Sequence, residues 1–268
     1  MILSLITHTH LIQVSDRRLT QRFADGSTAP YDDESNKATF FCDRAIFAYT
    51  GTAFVNGEKT DQWLTLALQP ATTLQAAFDK LANEATSTFQ KPAMRGDRLA
   101  VGCVGWSDDE HQGLVPFYAV VSNFIENGKP RPTPSDTFTV AGEKLPASKQ
   151  FMIWSLGQDL EHAVARRLVR DITTVVRRGL SAAAGLRLLV AAVRVSSRTN
   201  PIIGRGVMGN CLPRSAVGGI EILVLSGGPM NDAATFLYLP PAGGGFVSYG
   251  PNTICGGTAS LGFTFKHS

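Results

Sequence analysis

The sequence is poor in cysteine, in net charge and in long apolar runs, and each shortage excludes a class of protein. Its four cysteines, Cys42, Cys103, Cys211 and Cys255, are scattered without a CxxC spacing. That pattern suits reduced thiols rather than a disulfide framework, and it predicts a cytoplasmic protein. The formal net charge is only +3, too little by itself to imply a nucleic-acid partner. No apolar run reaches the roughly 18–20 residues that cross a bilayer. The start, MILSLITHTH, lacks a basic segment and a small-residue cleavage site, so it does not read as a signal peptide. No internal repeat or low-complexity tract occurs. His8 and His10 alternate onto one face of a hairpin, but a metal site needs three or four ligands. The acidic stretch Asp108, Asp109, Glu110 and His111 lies in a distant loop. No metal and no cofactor are therefore expected. Gly204, Gly206 and Gly209 match GxGxxG formally, yet they precede a strand instead of opening a helix, which argues against a dinucleotide site. Cys42 falls in a hairpin turn with no histidine nearby in sequence.

What is present is an ordinary globular composition, 44% apolar and 18% charged. At 268 residues the chain can fold as one large domain. Ile2–Thr7 and Leu11–Ser15 read as a hairpin turning at His8-Thr9. Residues 22–36 read as a polar loop. Ala38–Thr50 reads as a second hairpin with its turn at Cys42–Arg44. Over Thr60–Gln90 the apolar period becomes helical, interrupted near Pro70. Arg98–Trp106 and Leu114–Phe124 read as strands joined by an acidic loop, Ser107–Gln112. Asn127-Gly128 is a turn, residues 130–134 a stiff connector, and Thr137–Ala141 a short strand ending at Gly142. Asp159–Arg178 and Ser181–Ser197 are helices split by Gly179. Gly206–Leu212 and Ile220–Leu225 are strands, followed by short β pieces at Thr235–Leu239 and Phe246–Tyr249. Trp63, Trp106 and Trp154 read as core or interface residues.

Strands at both ends with helices in consecutive pairs lack the βαβα alternation of a parallel-sheet fold. They predict an α+β protein, a four-layer αββα sandwich of two antiparallel sheets flanked by helices. Residues 1–225 form its domain. Residues 226–268 form a Gly/Pro-rich extension with short strands packed on that domain.

The first 55 residues resemble the proteasome β-subunit and HslV family of N-terminal-nucleophile (Ntn) hydrolases. The first hairpin ends in Val14-Ser15-Asp16-Arg17-Arg18, similar to that family's small-small-Asp-x-Arg. Lys37 opens a hairpin, KATFFCDRAIFAYTG, that reaches Gly51 fourteen residues later, the family's Lys-to-Gly spacing. The strand pair AVGCVGWSDDEHQGLVPFYAV, the strand FTVAGE, two helices and a closing strand follow in the family's order, to about residue 225. The resemblance implies that Asp16 is the hairpin aspartate that salt-bridges a lysine, Lys37. It implies that the lysine ammonium lowers the pKa of the terminal amine and nucleophile by charge proximity. It makes Gly51 the oxyanion-hole donor, Arg18 a structural partner beside the cleft, and Thr52 and Ala53 cleft-lining residues.

The family's nucleophile is a threonine at the mature N-terminus, whose free amine serves as base. A turn centred at His8-Thr9 instead puts Met1 opposite Asp16, and neither Met1 nor Ile2 carries a nucleophilic oxygen. The family's further Asp and two Ser map to Asn200, Ile203 and Gly142. The expectation is therefore a proteasome-like protein with a vestigial or altered site, lacking ordinary threonine-peptidase activity and acting as a scaffold, regulatory subunit or ligand-binding pseudoenzyme. Like the family it would self-associate, in a ring for instance, without a membrane. One alternative is an amide or peptide hydrolase exposed by processing to Ser4, Thr7 or Thr9. Another is a polyanion or nucleic-acid binder using Arg166–Arg205, which holds nine arginines and one acid, Asp171; the simpler reading of the same face is a solvated or subunit-facing helix surface.

Overall fold

A computed structural model describes residues 1–23, 25, 27–41, 44–69, 71–111, 113–126, 128–179, 181–214, 220–225, 235–239, 252–255 and 258–260. In chain order the strands are β1 (Ile2–Thr7), β2 (His10–Asp16), β3 (Leu19–Arg22), β4 (Thr28–Asp32), β5 (Ala38–Phe41), β6 (Ala45–Gly51), β7 (Phe54–Val55) and β8 (Glu58–Lys59). The helices α1 (Thr60–Leu68) and α2 (Leu74–Phe89) follow, then β9 (Leu99–Asp109), β10 (Gly113–Ser122), β11 (Ile125–Glu126), β12 (Lys129–Pro130), β13 (Thr139–Lys144) and β14 (Phe151–Leu156). The helices α3 (His162–Arg177) and α4 (Ala182–Thr199) precede β15 (Val207–Pro213), β16 (Ile220–Leu225) and β17 (Thr235–Leu239). Two further strands are Asn252–Cys255 and Thr258–Ser260. The class is α+β, with mainly antiparallel sheets. No helix among the described residues is long and apolar enough to cross a membrane.

The chain divides into two compact units. The first comprises Met1–Asn36 and Leu145–Gly245. Its sheet runs β14-β1-β2-β15-β16-β17, antiparallel throughout. Alternation sends Leu3, Leu5, Ile12, Val14, Val207 and Cys211 to one face, where they form a core with Leu168, Ile172, Leu186, Leu189 and Val193 of α3 and α4. The other face of β1 and β2 is buried as well. That is why ILSLIT reads as a continuous apolar run rather than an alternating one. Gly179, at φ +84°, ends α3 in the left-handed region that favours glycine. Ser181 then caps α4 by accepting from the Ala184 amide at 3.2 Å.

The second unit comprises Lys37–Lys144 and Phe246–Ser268. Its sheet runs β13-β10-β9-β6-β5, then Asn252–Cys255 parallel to β5 and Thr258–Ser260 antiparallel to that strand. Helices α1 and α2 pack on it. Phe41, Phe47, Phe78 and Phe117 form a chain of ring contacts with centroids 5.6–6.1 Å apart. Trp63 and Trp106 are buried in this unit, whereas Trp154, in the first unit, is only half-buried.

Several expectations need correction. Residues 22–36 are not all loop, because β3 and β4 pair as a hairpin. Its exposed strand carries Pro30 and no apolar alternation, so the usual strand signal is missing. Strand β14 was not expected at all; a short, mostly apolar run such as FMIWSL does not by itself distinguish strand from helix. The acidic segment begins as strand, since Ser107, Asp108 and Asp109 pair with Val115, Leu114 and Gly113. Strand β13 passes through Gly142 to Lys144. Residues 159–161 precede α3. The expected turn residues Cys42, Asp43 and Asn127, the helix-breaking Pro70, Gln112 and the β piece at 246–249 lie outside the described residues.

Candidate functional site

The first hairpin decides what stands opposite Asp16. Thr7 Oγ1 donates to the His10 carbonyl at 2.9 Å and accepts from the His10 amide at 2.9 Å. This fixes a two-residue turn at His8-Thr9 and pairs Ile2 with Ser15. Met1 then faces Asp16, whose amide donates to the Met1 carbonyl at 3.1 Å. The Met1 amine forms a buried ion pair with Asp16 Oδ2. Asp16 Oδ1 accepts from the amides of Arg18, at 3.0 Å, and Gly204, at 3.3 Å. The Met1 side chain is buried in the core beneath α3 and α4.

The segment between α4 and β15 closes over this carboxylate. Arg17 donates its amide to the Gly206 carbonyl at 2.9 Å, and Arg18 Nη1 donates to the Pro201 carbonyl at 2.7 Å. A side chain at Gly204 would press on Arg18, its Cβ only 2.7 Å from that of Arg18. The Arg18 guanidinium holds Asp33 through two bonds, Nε–Oδ1 at 2.5 Å and Nη2–Oδ2 at 2.9 Å. This bond to Asp33 holds the guanidinium more firmly in its charged form. Arg17 donates to the carbonyls of Glu34 and Ser35. Both arginines thus anchor the segment leading to Lys37.

Asn200 and Ile203, which the resemblance places at the family's Asp and Ser positions, lie in this same closing segment. Asn200 Oδ1 accepts from the Ile202 amide at 3.0 Å, an Asx turn, and Asn200 Nδ2 donates to Gln158 Oε1 at 3.3 Å. Ile203 is core. Neither brings an acidic or hydroxyl group to Asp16.

In the second unit, Lys37 is buried at 7% exposure, and its carbonyl accepts from the Tyr49 amide at 3.2 Å. Gly51 ends β6 opposite Leu99 with φ +105°, a conformation side chains rarely adopt. A Cβ there would overlap the Arg98 carbonyl oxygen and stand 2.9 Å from the Arg98 carbonyl carbon. Thr52 donates to that carbonyl oxygen twice, from its amide at 2.7 Å and its hydroxyl at 3.0 Å. Ala53 accepts from the Thr60 amide at 3.0 Å through its carbonyl. Thr52 and Ala53 are both half-buried. At Gly142 a Cβ would overlap the Tyr118 carbonyl oxygen, so the seryl side chain of the family pattern has no room there.

Of the alternative nucleophiles, Ser4 and Thr7 are buried in β1, whereas Thr9 is exposed in the hairpin turn. Ser4 is 2% exposed in the middle of β1, between Trp154 and Gln13. Thr7 Oγ1 is committed to the hairpin turn. His8 Nε2 bonds the Lys149 carbonyl at 2.9 Å. Lys144 takes Asp109 at 3.2 Å and Arg44 faces Asp108 at 3.5 Å. Gly204, Gly206 and Gly209 run from loop into β15. Sequence reasoning missed Asp33, Gly204 and Gly206 as supports of the Asp16–Arg18 corner. The Asp32-Asp33-Glu34 run was a signal for the first, since two arginines precede it on a hairpin. No known protein family matches the chain, and no curated protein sequence matches it significantly.

Proposed function

We propose that the chain is a proteasome-like protein of the N-terminal-nucleophile class, with the four-layer αββα arrangement of that class and without ordinary threonine-peptidase activity. It acts in the cytoplasm as a self-associating scaffold or ligand-binding subunit. The observation that carries this reading is the buried pairing of the Met1 amine with Asp16. The amine stands where an Ntn nucleophile's general base would stand, yet the side chain on the same residue is a thioether packed into the core. Two features support the class. Each unit has a largely antiparallel sheet with a helix pair on one face, and Gly51 has a backbone that only glycine adopts without strain. The hydrolase alternative is disfavoured, because a chain beginning at Ser4 would lose Met1, Ile2 and Leu3, each buried to 5% exposure or less. Burial of such a side chain contributes roughly 1.5–3 kcal/mol.

The test compares Lys37→Ala with the unmodified chain for melting temperature and for turnover of a fluorogenic peptide-amide panel. The expected result is a lowered melting temperature, with turnover at background in both proteins. Measurable turnover, abolished by Lys37→Ala at unchanged melting temperature, would overturn the reading.

A further inference from the structure

Helices α3 and α4 leave a groove of about 340 Å³ on the first unit, within the size range of occupied binding pockets. Its walls are Val164, Arg167 and Leu168 of α3 and Leu188, Ala191 and Val195 of α4. Val195 is 40% exposed, a large apolar side chain left partly in water. The small Ala191 opens the floor at the middle. Asp171 also lines the groove and is held by Arg167 at 3.5 Å and Arg170 at 3.1 Å.

Cations surround this apolar floor. Together α3 and α4 contain seven arginines and one acid. Residues three and four apart on a helix are neighbours. Arg166 and Arg170 therefore border Ala163 and Arg167 along α3, and Arg187 and Arg198 border Ala191 and Val195 along α4. All four are exposed.

We propose that this groove docks an amphipathic helix of a partner protein, apolar on one stripe and acidic on both flanks. Aliphatic side chains at i, i+4 and i+7 would fill the floor beside Ala191, as helix-in-groove recognition requires, and flanking carboxylates would meet the arginine rims. Charge selects this occupant. A second copy of the same face would set arginine against arginine, which like-charge repulsion opposes. A single-stranded nucleic acid would want aromatic platforms for its bases, and the groove lining contains none. The inference uses surface features of the first unit alone and does not depend on the proposed function.

The test is fluorescence anisotropy of the full chain with a labelled helical peptide of about four turns, carrying leucine at i, i+4, i+7 and i+11 and glutamate on both flanks. A scrambled peptide of identical composition and an oligothymidylate serve as comparison probes. The patterned peptide is expected to bind at least about tenfold more tightly than either, and to weaken severalfold, without vanishing, when NaCl rises from about 0.05 to about 0.3 M. Two variants read the two halves of the site. The double substitution Arg166→Glu with Arg170→Glu changes exposed positions only, and Val195→Glu puts an acid on the floor. Each is expected to reduce affinity about tenfold, with circular dichroism melting confirming that the charge variant folds. The proposal is overturned if the patterned peptide shows no saturable binding, if the scrambled peptide binds equally well, if oligothymidylate binds more tightly, or if the charge variant binds as the unmodified chain does.

Discussion

Replacing Gly51 with alanine separates two causes of glycine preference, because Gly57 supplies an internal control. Both residues have positive φ, +105° and +84°. At Gly57 an added Cβ meets no atom within 4 Å, so only backbone strain remains, about 1 kcal/mol. At Gly51 the same strain is joined by overlap with the Arg98 carbonyl oxygen and by approach to Leu99 Cα at 3.2 Å. These are backbone atoms at the start of the paired strand β9 and just before it, and they cannot step aside like the end of a flexible side chain. Moving the Arg98 carbonyl would break the two hydrogen bonds it accepts from Thr52, each contributing about 1 kcal/mol. Gly51→Ala should therefore lose about 3–5 kcal/mol, and Gly57→Ala about 1 kcal/mol. Equilibrium urea denaturation of the two variants, at unchanged m-value, measures the difference. Equal losses would refute the steric argument and would mean that the β6 end relaxes freely. The expected loss is structural, so it appears whether or not Gly51 ever donates to an oxyanion.

Asp16→Asn leaves the Met1 ammonium buried without its counter-charge. It should cost about 3–5 kcal/mol, and a loss under about 1 kcal/mol in the same denaturation assay would show that the pair is not needed. Burial holds the Cys103 thiol and the Tyr118 phenol well above their ordinary ionisation ranges, the phenol raised also by the neighbouring thiol. In the unfolded chain both lose protons first, so the unfolded state binds fewer protons and stability falls as pH rises past about 8.5 and again past about 10. The slope should approach 1.4 kcal/mol per pH unit for each group, as an order of magnitude. Cys103→Ala should flatten the first part of the curve; an unchanged slope in that variant would contradict the assignment. Cys103 and Cys211 are buried thiols and should react with a thiol reagent only on unfolding, as counted by absorbance against time.

The hairpin register, the Asp16–Met1 opposition and the break of the helical pair at Gly179 were legible in the sequence because each rests on local chemistry. Thr7 and the polar His8-Thr9-His10 between two apolar, β-branched runs set the turn, and Gly179 and Ser181 punctuate the helices. Strand β14 was not legible. Its short, mostly apolar run acquires strand character only through pairing with β1, some 150 residues earlier in the chain. Hairpin β3–β4 was hidden because its exposed residues show no burial period. At the candidate site, Asp16, Arg18 and Gly51 were singled out by the family resemblance. For Asp33 only the acidic run Asp32-Asp33-Glu34 gave a hint, and the role of Gly204 could not be read, since it depends on a helix end brought to Asp16 by the tertiary fold. The Arg-rich segment was visible as charge alone, and only the α3–α4 packing reveals the apolar groove beneath it.

The central claim is that the residue whose amine sits on Asp16 carries no nucleophile. Its most direct test is the intact mass of the purified native protein before and after incubation with a peptide vinyl sulfone, an electrophile that N-terminal hydroxyl nucleophiles capture. The expected result is a mass beginning at Met1 and no adduct. A chain beginning at Ser4, Thr7 or Thr9 that gains the mass of the reagent would contradict it and identify an active hydrolase.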